Sequence, residues 1–114
     1  MQDFEQFTLV DPAVLVTIVS ETILKDSLIM LLTKLKVRSY TVSQVQGAGR
    51  TTRRSAAPNA EGEAGSSEMV ETNLEIKAIV SQELSNVILY ALKEQQRDFV
   101  IFVYRQPVEV LIEE

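Results

Sequence analysis

The sequence predicts an α+β domain of ferredoxin-like β-α-β-β-α-β design with an antiparallel sheet. Short β-branched runs alternate with two stretches of helical periodicity, and each helix is flanked by strands. The two β-α-β halves resemble each other and join between their inner strands, which is the split arrangement that lays two helices on one face of a sheet. With 114 residues, the chain makes a single domain spanning 1–114.

After a mixed lead-in ending at Pro12, the run from Ala13 to Val19 is apolar, β-branched and of strand length. From Thr22 to Lys36 the residues Ile23, Leu24, Leu28, Leu31, Leu32 and Leu35 fall on one helical face, leaving Lys25, Asp26, Lys34 and Lys36 largely off it. Tyr40 to Val45 is rich in strand formers and reads as a second strand. In the third strand Leu74, Ile76, Ala78 and Val80 alternate with Glu75, Lys77 and Ile79, so that one face meets a core. Ser81 is a good N-cap for a second helix with Leu84, Val87, Ile88, Ala91 and Leu92 on its inner stripe. Phe99 to Tyr104 gives a fourth strand, and Pro107 sets off a short C-terminal strand, Val108 to Ile112, that it would start or place at an edge.

Strand four is apolar on both faces, since Phe99, Ile101 and Val103 are matched by Val100, Phe102 and Tyr104. A sheet with helices on one side and water on the other should alternate. Something therefore covers the second face. A further copy of the same sheet packed around a closed symmetry axis is the favoured cover. The alternative is a lead-in with Phe4, Phe7, Leu9 and Val10 folding back over part of it.

Between strands two and three lies a polar insert, 47–72, opening Gly47-Ala48-Gly49-Arg50-Thr51-Thr52-Arg53-Arg54-Ser55. Loops longer than about 15 residues without secondary structure are uncommon in compact domains and are usually functional or disordered. The glycines would let backbone N–H groups approach an anion, and three guanidinium groups could bind phosphate bidentately. A solvated basic cluster is an equally good reading of those arginines alone. Glu61, Glu63, Glu68 and Glu71 reverse the charge in the second half and read as a solvating arm rather than a metal site. Ser55, Ser66 and Ser67 are accessible in sequence, but loop serines are common. No third glycine, P-loop lysine or helix start follows, so dinucleotide and P-loop readings fall.

The chain has no cysteine, histidine or tryptophan, which closes thiol and imidazole catalysis and Cys/His zinc sites. A net charge of −5 argues against sequence-independent nucleic-acid binding. No apolar run approaches the ~18 residues of a membrane span and the N-terminus lacks a basic start, so the expectation is a soluble cytoplasmic protein without direct membrane insertion. Glu21, Glu83 and Asp98 fit element ends better than a general acid/base pair, and no nucleophile-base constellation is visible. An enzyme is not expected.

Tyr40-Thr41-Val42-Ser43-Gln44-Val45-Gln46-Gly47-Ala48-Gly49-Arg50 resembles the second strand and T-loop root of PII signalling proteins. Within that superfamily the chain is more similar to the PII-like proteins of the bicarbonate-transporter-associated, SbtB-type group, where a Gly-x-Gly turn is followed by arginines and a serine. Asn73-Leu74-Glu75-Ile76 and Glu109-Val110-Leu111 also sit where that group has similar stretches. The resemblance covers nearly the whole chain through the order of its elements. It implies a homotrimer with an adenine nucleotide in each intersubunit cleft and a T-loop that docks onto a membrane transporter or another target. It implies that Thr41 and the backbone near Ile79 hold the adenine, that the backbone of Gly47 and Gly49 lines the cleft, that Arg50 faces phosphate at the loop entry, and that Arg54 is the further nucleotide-binding arginine of the transporter-associated group. Arg53 joins them by proximity only.

Ordinary PII proteins resemble one another in a Gly-Asp-Gly-Lys turn before strand four and in basic residues of the last strand. Here Arg97-Asp98-Phe99-Val100 and Leu111-Ile112-Glu113-Glu114 stand instead, and only Asp98 matches. Each charge-assisted contact so lost is worth on the order of 1.5–3 kcal/mol. The expected effector is therefore AMP, ADP or cyclic AMP rather than ATP with 2-oxoglutarate, and no cofactor is required. The insert has no tyrosine, so uridylylation there is excluded. A ferredoxin-like ligand-binding or scaffold module that binds no nucleotide is the alternative.

Overall fold

β1 runs over Val10–Glu21, longer at both ends than its β-branched run suggests. The computed structural model describes residues 9–47 and 71–113. A 3-10 turn, Thr22–Leu24, leads into helix α1, Lys25–Lys34; then come β2, Tyr40–Gly47, and β3, Glu71–Val80. Helix α2, Gln82–Gln95, and strand β4, Ile101–Leu111, complete the domain. The sheet order is β2-β3-β1-β4 and every pairing is antiparallel. The expected α+β ferredoxin-like fold is present.

β2 runs on to Gly47 and β3 begins at Glu71, both inside the stretch expected as the 47–72 insert, and β4 begins at Ile101 rather than Phe99; three further differences have identifiable reasons. β1 lengthens because β4 pairs with it from Val10 opposite Leu111 to Ser20 opposite Ile101, and backbone bonding continues where the side-chain pattern fades. The segments on either side of Pro107 form one strand, with Pro107 opposite Val14 on a strand that has a neighbour on one side only. There the missing N–H can face outward. Helix α1 starts later than Thr22, and the tighter winding of the 3-10 turn leaves Ile23 80% exposed, off the apolar stripe assigned to it.

The core lies between the two helices and one face of the sheet. Val14, Val16 and Ile18 of β1 stand opposite Val80, Ala78 and Ile76 of β3. All six are buried, as are Leu28 and Leu32 of α1, Ile88 and Leu92 of α2, and Ile101 of β4. Ser81 caps α2 as its sequence implies, its Oγ accepting from the Leu84 N–H at 3.1 Å. At the other end of α1 the chain turns through Lys36 with φ of 64°. The Lys36 N–H donates to the Thr33 carbonyl and that of Val37 to the Leu32 carbonyl, both at 3.0 Å, which is a Schellman closure with lysine where glycine is usual.

Candidate functional site

The register sorts the remaining side chains onto the face away from the helices. β1 contributes Leu15, Thr17 and Val19; β3 contributes Glu75, Lys77 and Ile79; β4 contributes Phe102 and Tyr104; β2 contributes Thr41, Ser43 and Val45. Ile79, Phe102 and Tyr104 are 52%, 46% and 43% exposed, and the two aromatic rings pack on each other with centroids 5.7 Å apart. The sheet's second face thus carries an exposed apolar patch within one chain. The lead-in does not cover it where it is described: Leu9 is exposed, its carbonyl accepts from the Ile112 N–H, and Val10 extends β1. Phe4 and Phe7 lie outside the described residues.

Of the residues singled out from the sequence, Thr41 and Ile79 come together on this face. Thr41 pairs across the ladder with Lys77, and Ile79 follows Lys77 by two residues, about 7 Å further along the same side of the sheet. An exposed aliphatic surface here adjoins the Thr41 hydroxyl. Gly47 closes β2 opposite Glu71. It is six residues from Thr41, about 20 Å at strand rise. A Cβ at Gly47 would meet nothing within 4 Å, so packing inside the chain does not demand glycine there. Gly49, Arg50, Arg53 and Arg54 lie outside the described residues.

The turn with Arg97 and Asp98 lies at the same end of the sheet as Gly47, because β4 starts opposite Ser20 and β1 ends opposite Asn73. Asp98 is fixed by its backbone, the N–H donating to the Gln95 carbonyl at 3.1 Å. Arg97 lies 3.7 Å from Glu94 in an exposed ion pair. Among the described residues no group of three or more His, Cys, Asp or Glu side chains could hold a metal ion, and no helix is long and apolar enough to cross a membrane.

Two polar residues gain significance only in three dimensions. Lys77 reads in the sequence as one solvated position of an alternating strand; register puts it beside Thr41 and opposite Thr17. Arg105 of β4 sits on the helix side, and its guanidinium donates to Ser85 Oγ at 2.8 Å and Asn86 Oδ1 at 2.6 Å on α2. It ties the edge strand to the helix. No motif announces that contact, since strand and helix partners are about 20 positions apart.

Solved structures share the architecture. A candidate PII-like signalling protein from Thermus thermophilus is 28% identical, with 91% of this chain and 94% of that one aligned at a TM-score of 0.68. CPII from Thiomonas intermedia, a nitrogen regulatory PII-like protein seen with ADP, AMP and bicarbonate, is 19% identical, covers 92% and 99% of the two chains, and gives a TM-score of 0.71. The same protein without ligand superimposes with a TM-score of 0.70 at 17% identity over 91% and 97%. Among curated proteins none matches. A family model, nitrogen regulatory protein P-II, matches residues 13–111, and the chain belongs to that family.

Proposed function

We propose that the chain is a trimeric, nucleotide-responsive regulator of the SbtB-like kind, acting in the cytoplasm on a membrane transporter through the insert as its T-loop. The observation that carries this reading is where the insert leaves the sheet. It departs from Gly47 at the end of the strand whose Thr41 faces the open surface beside Ile79. An adenine ring at Thr41 and Ile79, phosphate approached by the backbone of Gly47 and Gly49, and guanidinium groups of Arg50 and Arg54 would together make one site. Arg53 is available as a further anion partner. CPII, seen with ADP and AMP, supports an adenine nucleotide as the class of effector. The turn at Asp98 and the end Leu111-Ile112-Glu113-Glu114 supply no cation for a third phosphate apart from the paired Arg97, which favours AMP, ADP or cyclic AMP over ATP.

Assembly follows from the open face. Exposed Ile79, Phe102 and Tyr104 beside Leu15 and Val19 form an apolar surface of a kind that single soluble domains rarely leave uncovered. A closed trimer buries it and juxtaposes one subunit's β2 with the next subunit to form the cleft. The nucleotide would order the arginine half of the insert, and that segment would then gain or lose affinity for the transporter. No catalytic role is proposed.

Calorimetric titration with AMP, ADP, ATP and cyclic AMP tests the ligand, and native mass spectrometry tests the trimer. Binding of AMP or ADP in preference to ATP, weakened about tenfold or more by Arg54→Ala, is the expected result. The absence of heat at millimolar ligand, with a trimer intact, would leave the scaffold reading standing in its place.

A further inference from the structure

One row of the sheet's open face crosses all four strands and carries a polar group at every position: the Tyr104 hydroxyl, Thr17, Lys77 and Thr41. Thr17 at its centre is 1% exposed, whereas Lys77 is exposed. Among the described residues, no side chain in this row makes a hydrogen bond or ion pair within the chain. The rows on either side are mixed, with Gln106, Leu15 and Ile79 on one flank and Phe102, Val19, Glu75 and Ser43 on the other. An ammonium group in such a setting is well solvated in a lone chain. Once the face is covered, it needs a carboxylate, because an unpaired buried charge is strongly disfavoured.

Among the described side chains, three carboxylates share the face. Asp11 and Glu21 lie at the two ends of β1, near the margins, whereas Glu75 is half-buried in the middle of the face, opposite Val19 and Ser43. Glu75 and Lys77 stand two residues apart on one strand, yet no ion pair joins them. The middle of the face therefore offers one cation and one carboxylate, both unpaired and close together. A second copy of the face presents the complement of each.

We propose that Lys77 pairs with Glu75 of a neighbouring copy of this chain, and that this repeated intersubunit ion pair sets the register in which the sheets pack. The inference rests on the assembly proposed above and adds the contact that orients it. In a closed ring, a single kind of contact repeated around the axis satisfies every lysine and every glutamate. The surrounding apolar side chains have no directional preference of their own, so a desolvated charge pair is what distinguishes one packing angle from another.

Charge reversal with rescue tests the pair, read by native mass spectrometry and by sedimentation across protein concentration, with circular dichroism as the check on folding. Lys77→Glu and Glu75→Lys should each raise the concentration for half-assembly by about 100-fold, and the double exchange should return it to within about tenfold of the parent. Mixing the two single variants should produce mixed oligomers more readily than either forms alone, because two of the three contacts in a mixed trimer are then complementary, a partial rescue that an ion pair within one chain cannot give. If either reversal fails to fold, Lys77→Gln and Glu75→Gln replace them; the double glutamine variant should then assemble no worse than the weaker single. Single variants that assemble like the parent, or an exchanged variant that stays dissociated, would overturn the pair while leaving the trimer intact. A parent chain monomeric at every concentration would overturn the assembly and the pair together.

Discussion

Replacing Lys36 with glycine should leave this protein more stable than replacing it with alanine, although the position follows a helix and alanine is the better helix former. Lys36 has φ of 64°, in the left-handed region where a Cβ crowds the following carbonyl. That crowding costs roughly 1–2 kcal/mol in a non-glycine residue. The conformation is enforced by the Schellman bonds of Lys36 and Val37 and by burial of Val37 beside Leu32, so the chain cannot escape it by local rearrangement. Glycine removes the crowding but makes the unfolded chain more flexible, an opposing term of about 0.4–1 kcal/mol. It also removes a cation near a helix C-terminus, worth about 0.3–1 kcal/mol at an exposed site. Against lysine the three terms nearly cancel, to within about 1 kcal/mol, and Lys36→Ala provides the sharper comparison. Alanine loses the charge as glycine does and keeps the Cβ, so Lys36→Gly should exceed Lys36→Ala by about 0.5–1 kcal/mol. Urea unfolding at one fixed protein concentration measures the difference, since the midpoint of an assembling protein depends on concentration. An alanine variant as stable as the glycine variant would refute strain at Lys36.

The other structural predictions concern α2. Ser81→Ala removes the acceptor of the Leu84 N–H and should cost about 1 kcal/mol, while Ser81→Asp should restore most of it; denaturant midpoints report both. Arg105→Met breaks the bonds to Ser85 and Asn86 and should cost about 1 kcal/mol, limited because Ser85 Oγ still donates to the Gln82 carbonyl at 2.8 Å. Faster amide exchange in the first turns of α2 would accompany that loss, and unchanged exchange would argue against Arg105 as a tie between strand and helix.

The parts of the fold legible in the sequence are those where one face is buried and the other is not. Leu74, Ile76, Ala78 and Val80 announce β3 because burial imposes a period of two, and Ser81 announces α2 because its hydroxyl satisfies an N–H that the helix cannot. The ends of β1 and the unity of β4 were not legible, since both depend on backbone pairing between the first strand and the last. At the site, the sequence picks out Thr41 and Ile79, and the register places them on one face. Lys77 escapes it because a lysine alternating with apolar residues normally faces water; only the order of all four strands shows what surrounds it. Gly49 and the three arginines rest on sequence and resemblance alone.

The distance along β2 constrains how the proposed site works. Thr41 and Gly47 lie on one extended strand, so base and phosphate contacts start about 20 Å apart within a subunit. A short nucleotide such as AMP cannot touch both ends unless the chain beyond Gly47 turns back toward Thr41 or a neighbouring subunit brings groups to it. The reach is sufficient: Arg54 is seven residues past Gly47, which at full extension covers up to about 25 Å. Turning that segment back concentrates several arginines around one anion, and their mutual repulsion falls only when the anion is present. On the proposed reading, binding and ordering of the insert's first third would then be one equilibrium. On this geometry a ligand with more phosphate need not bind more tightly, because its extra charge extends along the strand toward Gly47 and relieves the segment of the need to fold back. AMP and ADP would therefore leave the insert in different conformations, and the partner's affinity, measured with each nucleotide at saturation, should differ between them. Equal partner affinity in both complexes would separate nucleotide binding from control of the insert.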